Sequence, residues 1–209
     1  MKNKNYIVLI PSYNEIRNLP IIIKKLKNYN ILVVNDFSTD DTKKLLRKNK
    51  VRHINTKKQV GQLDAIIYGF KHVIKYYKKC KYIITFDADG EHKTSDIKRF
   101  IKKIKFNPDV VMGVRSRKNR LMENIISLYF NYRYKIKDPM TGFKMIKTKI
   151  IKKNLNYLNN KKFFIDFLKR INSENNFSYL NITSPKRKGT SKHKEFLTNF
   201  KMLRTLLLV

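Results

Sequence analysis

The chain has 209 residues, 42% of them hydrophobic, which is enough for one domain with its own core. Lys and Arg number 48 against 15 Asp and Glu, a formal charge of +33 that draws nucleic acid, anionic lipid and phosphorylated substrates and repels cations. Cys80 is the single cysteine, which excludes an internal disulfide, and no apolar run approaches the ~20 residues of a membrane span.

Tyr6–Ile10 is apolar, stops at Pro11 and predicts a strand. No secretory pattern precedes it, so a reducing cytoplasm is the expected compartment. Leu19, Ile22, Ile23 and Leu26 recur at helical spacing. Ile31–Val34 predicts a second strand. Ser38-Thr39-Asp40-Asp41 then opens a helix, with Ser38 and Asp41 spaced as a capping box. Val51–Ile54 predicts a third strand, Ala65 to Tyr77 a strongly amphipathic helix, Tyr82–Phe86 a fourth strand and Val110–Met112 a fifth. Strands alternating with helices predict an α/β fold, a mostly parallel sheet with helices on both faces. Beyond Met112 the pattern loosens. Met122–Tyr134 and Ile165–Ile171 read as helices, Phe177–Ile182 as a strand, Lys186–Lys194 as a basic loop and Glu195–Leu208 as a final amphipathic helix.

Side chains alternate along a strand, so Asp87 and Asp89, where the fourth strand ends, lean the same way. Two carboxylates so placed suit one hard cation, Mg²⁺ or Mn²⁺, which prefers oxygen ligands and leaves room for substrate phosphates. In an open α/β sheet, ligands bind outside the carboxyl ends of the strands. Pro11-Ser12-Tyr13-Asn14-Glu15, Asn35-Asp36 and Asp87-Ala88-Asp89 all fall at such ends. Taken singly, each reads as a turn or a helix cap. Their joint placement points to one site.

The ordered set of motifs resembles glycosyltransferase family 2, with its Rossmann-like GT-A fold, and is most similar to the dolichol-phosphate mannose synthase-like branch. Ile10-Pro11-Ser12-Tyr13-Asn14-Glu15 and Val33-Val34-Asn35-Asp36-Phe37-Ser38-Thr39-Asp40 match its first two strand ends. Gly61, Ala65 and Gly69 match its small-residue helix, and Phe86-Asp87-Ala88-Asp89-Gly90-Glu91-His92 its metal motif. Asp138-Pro139-Met140-Thr141-Gly142-Phe143-Lys144 and Arg187-Lys188-Gly189-Thr190-Ser191-Lys192 match later acceptor-side and basic motifs. The expected organisation is one domain over 1–192, with a nucleotide-sugar half at 1–113 and an acceptor half at 114–192, followed by a helix at 193–209.

The resemblance implies roles. Pro11, Tyr13, Glu15 and Asp36 line the nucleotide pocket, with Asp36 accepting hydrogen bonds from the base or ribose. Asp64 reaches the nucleotide or merely favours its helix dipole. Asp87 and Asp89 hold the metal and through it the diphosphate, with Glu91 completing the coordination or standing as an exposed turn residue. Asp89 is thereby catalytic. Arg187 and Lys192 close over the diphosphate, unless the basic run is a lipid or nucleic-acid patch. Among Arg115, Arg117, Arg120 and Arg133, the two chosen to contact an acceptor phosphate are Arg115 and Arg133, because guanidinium pairs bidentately with phosphate. A polyprenyl-phosphate acceptor brings its own negative nucleophile. A hydroxyl acceptor needs a base, and Asp138 is the candidate. The expected reaction is inverting.

The departures are Phe37, where the family usually has glycine, Asn35 for the first acid of a pair, and Lys93-Thr94 for a proline pair, with Thr94 or Ser95 left to cap the next helix. Relatives often carry membrane helices. Their lack here leaves a soluble acceptor, an anionic membrane reached through the basic surface and last helix, or a membrane subunit. Three other functions compete with transfer to a lipid phosphate: transfer to a glycan hydroxyl in cell-envelope polysaccharide, an inactive relative, and a nucleic-acid-binding protein. The last explains the charge but not the gathered acids. AT-biased coding, which raises Lys, Asn and Ile together, explains the charge as well.

Overall fold

Tyr6–Ser12 has no exposed position, and these residues form strand β1. The computed structural model describes residues 4–90, 92–118, 121–159, 163–172 and 174–183. Around β1 stand β2 (Ile31–Asn35), β3 (His53–Asn55), β4 (Tyr82–Thr85), β5 (Val110–Arg115), β6 (Lys144–Lys147) and β7 (Phe177–Ile182). They make one seven-stranded sheet in the order β3-β2-β1-β4-β6-β5-β7. β6 runs antiparallel to both its neighbours, and every other pairing is parallel. This is the α/β architecture that the alternating pattern predicts, and the one sheet runs through both halves expected from the sequence.

Alternation along β1 divides the core in two. Tyr6, Val8 and Ile10 face a cluster completed by helices α1 (Leu19–Lys25), α2 (Thr42–Lys48) and α4 (Thr94–Lys103), through Leu19, Ile22, Leu46, Ile97 and Phe100. Ile7 and Leu9 face the other, built by α3 (Gln62–Tyr76), α5 (Leu121–Tyr134), α6 (Thr148–Lys153) and α7 (Phe163–Asn172). Helix α3 lies close over β1 and β2. A Cβ on Gly69 would come within 2.6 Å of the Leu9 side chain, so the small-residue face is packing.

Some predicted elements need correction. β6 was not foreseen. It is four residues long and begins and ends in lysine, which hides it from pattern reading. The third strand runs His53–Asn55, not Val51–Ile54, because Val51 belongs to the end of α2. Its N–H bonds the Leu46 carbonyl at 2.9 Å, and Lys50 N–H the Arg47 carbonyl at 3.0 Å, with Lys50 at φ 50°, a Schellman closure. The Ser38–Asp41 capping box does not form. Helix α2 starts at Thr42 without a side-chain cap, and the Ser38 hydroxyl accepts the Asn14 N–H instead. Likewise α4 has Lys93 at its cap, and neither Thr94 nor Ser95 caps it. The expected basic loop and final helix lie outside the described residues.

Candidate active site

The carboxyl edge of the sheet is assembled by two facing loops. In the parallel register Ser12 sits beside Asn35, and the Asp36 N–H donates to the Ser12 carbonyl at 2.8 Å. The chain leaving β1 is then laced to the chain leaving β2. Asn14 Oδ1 accepts the Thr39 N–H at 2.8 Å and the Asp40 N–H at 3.3 Å. Asn14 N–H donates to Ser38 Oγ at 3.0 Å, and Ile16 N–H to Asp40 Oδ2 at 3.2 Å. Asn14 holds φ 52°, a left-handed conformation that asparagine tolerates. Phe37 holds φ 54°, where an aromatic residue is strained.

Asp36 is buried and bound from within. Its Oδ1 accepts from the Thr56 hydroxyl at 3.0 Å and the Val60 N–H at 2.9 Å, and its Oδ2 from the Gly61 N–H at 2.8 Å. The carboxylate therefore anchors the segment that leads into α3. Gly61, at φ 93°, makes the turn. These three donors share the carboxylate that the resemblance assigns to the base or ribose. Pro11 is buried inside β1, Tyr13 is half-buried, and Glu15 is buried and accepts from the Asn18 amide at 2.9 Å. Asp64 stands half-buried in the first turn of α3.

Asp87 follows β4 and meets the 138–144 segment. Thr85 Oγ1 donates to the Gly142 carbonyl at 2.6 Å and accepts the Lys144 N–H at 3.2 Å. A Cβ on Gly142 would overlap Asp87 Oδ2 and stand 2.6 Å from its Cγ, so only glycine fits against this carboxylate. Gln62 Nε2 donates to Asp87 Oδ1 at 2.7 Å, and the buried His92 places Nε2 3.3 Å from Oδ2. Burial, the largest influence, raises the Asp87 carboxyl. The His92 hydrogen bond, the charges of His92 and Lys144, and the Gln62 amide together outweigh it and hold the group below its ordinary value. Asp89, two residues on, is half-buried on the same turn.

The acceptor side is built of buried charge. Arg115 ends β5. Its Nε donates to Asp138 Oδ2 at 3.0 Å and its Nη2 to Asp138 Oδ1 at 3.0 Å, a bidentate pair, while Nη1 reaches Glu123 Oε2 of α5 at 3.0 Å. Asp138 is 0% exposed. The two residues expected to act separately on the acceptor, as phosphate contact and as base, are thus joined to each other. Lys144 is buried alongside and donates to the Thr141 carbonyl. Burial brings its ammonium down to about 7, with Arg115 adding to the effect and Asp138 and Asp87 opposing it. Arg133 is exposed in the last turn of α5, its guanidinium 5.6 Å from the Tyr134 ring centre.

The structure therefore brings Asp87 together with Gly142 and Lys144, and Arg115 with Asp138, while Asp89 follows Asp87 on its turn. Glu91, Arg120, Arg187 and Lys192 lie outside the described residues. Gln62, His92, Glu123 and Lys144 are contributors that sequence reasoning did not select. Among the described residues no three His, Cys, Asp or Glu gather to hold a metal by protein ligands alone. Two oxygen donors, with the Asp87 carboxyl held in its charged form, still fit a hard divalent cation that takes its other ligands from a diphosphate.

The family model described as Glycosyl transferase family 2 matches residues 7–166. The dolichol-phosphate mannosyltransferase of Pyrococcus furiosus is 30% identical over 168 residues, covering 69% of this chain and 46% of that one. The undecaprenyl-phosphate 4-deoxy-4-formamido-L-arabinose transferase of Klebsiella pneumoniae is 32% identical over 126 residues, covering 54% of this chain and 37% of that one. The chain thus spans less than half the length of either relative. Glucosyl-3-phosphoglycerate synthase of Mycobacterium tuberculosis, solved with Mn²⁺, UDP-glucose and phosphoglyceric acid, matches with a TM-score of 0.77 at 11% identity, over 98% of this chain and 79% of that one. At that identity the two share a fold.

Proposed function

The chain belongs to glycosyl transferase family 2, and on that footing we propose that it moves a sugar from a UDP- or GDP-linked donor to a polyprenyl phosphate, with inversion. The observation that carries this is the Asp87 carboxylate, held charged at the end of β4 and pressed against Gly142, with Asp89 on the same turn. Asp87 and Asp89 would hold Mg²⁺ or Mn²⁺, joined by Glu91. When bound, such a cation offsets charge building on the departing diphosphate. Asp36 keeps the 56–61 segment in place, and Tyr13, Glu15 and Asp64 border the donor at the same edge. Arg187 and Lys192 close over the diphosphate. An acceptor phosphate oxygen attacks the anomeric carbon, the bond from that carbon to the diphosphate breaks, and the nucleoside diphosphate leaves.

The state of Asp138 favours a phosphate acceptor over a hydroxyl. Both its oxygens accept from Arg115 and it has no exposed surface, so it is better placed to position Arg115 than to take a proton. A nucleophile that already carries charge needs no base. Arg133 is exposed and so available to the acceptor phosphate. On α5, Leu121, Ile125, Leu128, Tyr129 and Tyr132 are exposed at helical spacing, with Arg133, Lys135 and Lys137 exposed nearby. An apolar stripe edged by basic residues suits contact with an anionic membrane, where such a lipid resides. No described helix is long and apolar enough to cross one.

The test is release of nucleoside diphosphate with Mn²⁺ and a panel of UDP- and GDP-sugars, with and without polyprenyl phosphate. Turnover that requires the lipid phosphate is expected, and Asp89→Ala is expected to abolish it with an unchanged circular dichroism spectrum. Turnover with a glycan acceptor alone would move the assignment to cell-envelope polysaccharide synthesis. Absence of donor binding, with tight salt-sensitive binding of nucleic acid, would overturn it.

A further inference from the structure

Phe37 combines two features that folding alone does not favour. Its backbone sits at φ 54°, a region that bulky side chains avoid and glycine enters freely. The residue is 52% exposed, so the strain is not offset by burial in the core. The conformation is nevertheless imposed from both sides. Before it, Asp36 N–H bonds Ser12 and Phe37 N–H bonds the Asn35 carbonyl at 3.0 Å. After it, Ser38, Thr39 and Asp40 are all tied to Asn14. Strain maintained by so many bonds at a strand's carboxyl end is the kind that accompanies function.

The position is specific. Ser12 pairs with Asn35, so Phe37 leaves β2 beside Tyr13 and Asn14 as they leave β1. Asp36, its neighbour, is occupied by Thr56, Val60 and Gly61, so the carboxylate expected to receive the base already has partners. A flat apolar face at this edge supplies a different kind of base recognition. Granted the donor site proposed above, we infer that Phe37 is a stacking platform for the nucleobase of the donor. It recognises the π-face that every base presents, so it adds affinity without choosing between uracil and guanine.

The experiment measures Kd for UDP, GDP and pyrophosphate, each with Mn²⁺, on the full chain and on Phe37→Gly, Phe37→Asn and Phe37→Tyr. Glycine and asparagine both accept the left-handed backbone, so the loop keeps its path and the thermal midpoint does not fall. Both variants are expected to bind UDP and GDP at least roughly tenfold more weakly, the size of one lost base–aromatic stack, and pyrophosphate as the parent does. Phe37→Tyr is expected to keep parental affinities. Unchanged UDP and GDP affinities in Phe37→Gly and Phe37→Asn would overturn the inference and leave the donor site standing. An equal loss for pyrophosphate would also overturn it, by locating the effect in the loop and not in the base. A parent chain that binds none of the three would instead remove the donor site itself.

Discussion

The two sides of the site are held together by different forces. On the donor side, the 13–18 and 36–41 loops are joined by backbone amides, the Asn14 amide and single carboxylate oxygens. On the acceptor side, Arg115, Glu123, Asp138 and Lys144 meet as buried charges. The first arrangement can lose a bond and keep its shape. In the second each charge stands only because its partner does, since an unpaired ion in a low dielectric is far costlier than an unpaired amide. Robustness therefore belongs to the donor edge, and electrostatic poise to the acceptor edge.

The hardest test of this contrast is Asp138→Ala. It leaves the Arg115 guanidinium buried beside Glu123 without its bidentate partner and removes an opposing charge from Lys144. Loss of one partner from a buried pair is expected to destabilise the fold by about 3–5 kcal/mol, read from denaturant unfolding. A loss below about 1 kcal/mol would mean that water reaches the pair and that the acceptor edge is not the charged core described.

The difference also decides what the sequence could tell. The donor edge was legible because each cluster is contiguous and follows an apolar run, so the strand ends announce it. The acceptor edge was only half legible. Arg115 and Asp138 were singled out as chemically important, but their pairing depends on β5 reaching Arg115 and on the 138–144 segment returning beside it. That return is made by β6, whose lysine ends hid it. Lys144 is buried because β6 runs antiparallel between β4 and β5, a fact of topology and not of local pattern. Gly142 stood in a recognised motif, but its contact with Asp87 exists only once those strands are neighbours. Ser38 failed as a helix cap for a related reason: a residue from another loop, Asn14, reached it first.

A second, smaller effect follows from Lys144. Its pKa falls from an ordinary ~10.4 in the unfolded chain to about 7 in the fold. Above pH 7 the unfolded chain therefore binds more protons at this residue than the folded one, so stability rises with pH between the two values. The contribution is fully present above ~10.4 and is lost as pH falls through about 7. Relative to Lys144→Met, the parent chain is expected to gain roughly 2 kcal/mol between pH 7 and 8.5, in parallel denaturant titrations. A constant difference across that range would show that Lys144 remains charged in the fold, paired strongly enough by Asp87 and Asp138 to offset its burial.

The smallest expected effect is on the donor side, with Asn14→Gly. Glycine keeps φ 52° without strain, so the backbone path from β1 survives. What disappears is the side-chain amide, whose oxygen accepts the Thr39 and Asp40 N–H groups and whose Nδ2 donates to Thr39 Oγ1 at 3.1 Å; the Thr39 bonds are exposed and the Asp40 bond is part-buried, so water replaces most of what is lost. A net hydrogen bond contributes about 0.5–1.5 kcal/mol, and solvent access places each of these three at or below the lower end, about 1–1.5 kcal/mol in all. The Asn14 N–H to Ser38 bond is a backbone donor and persists, so the loops stay joined. Amide exchange at Thr39 and Asp40 is expected to quicken while exchange in β1 and β2 is unchanged. If exchange quickened throughout both strands, the lacing would be holding the sheet edge itself, and the donor side would depend on its contacts as strictly as the charged side does.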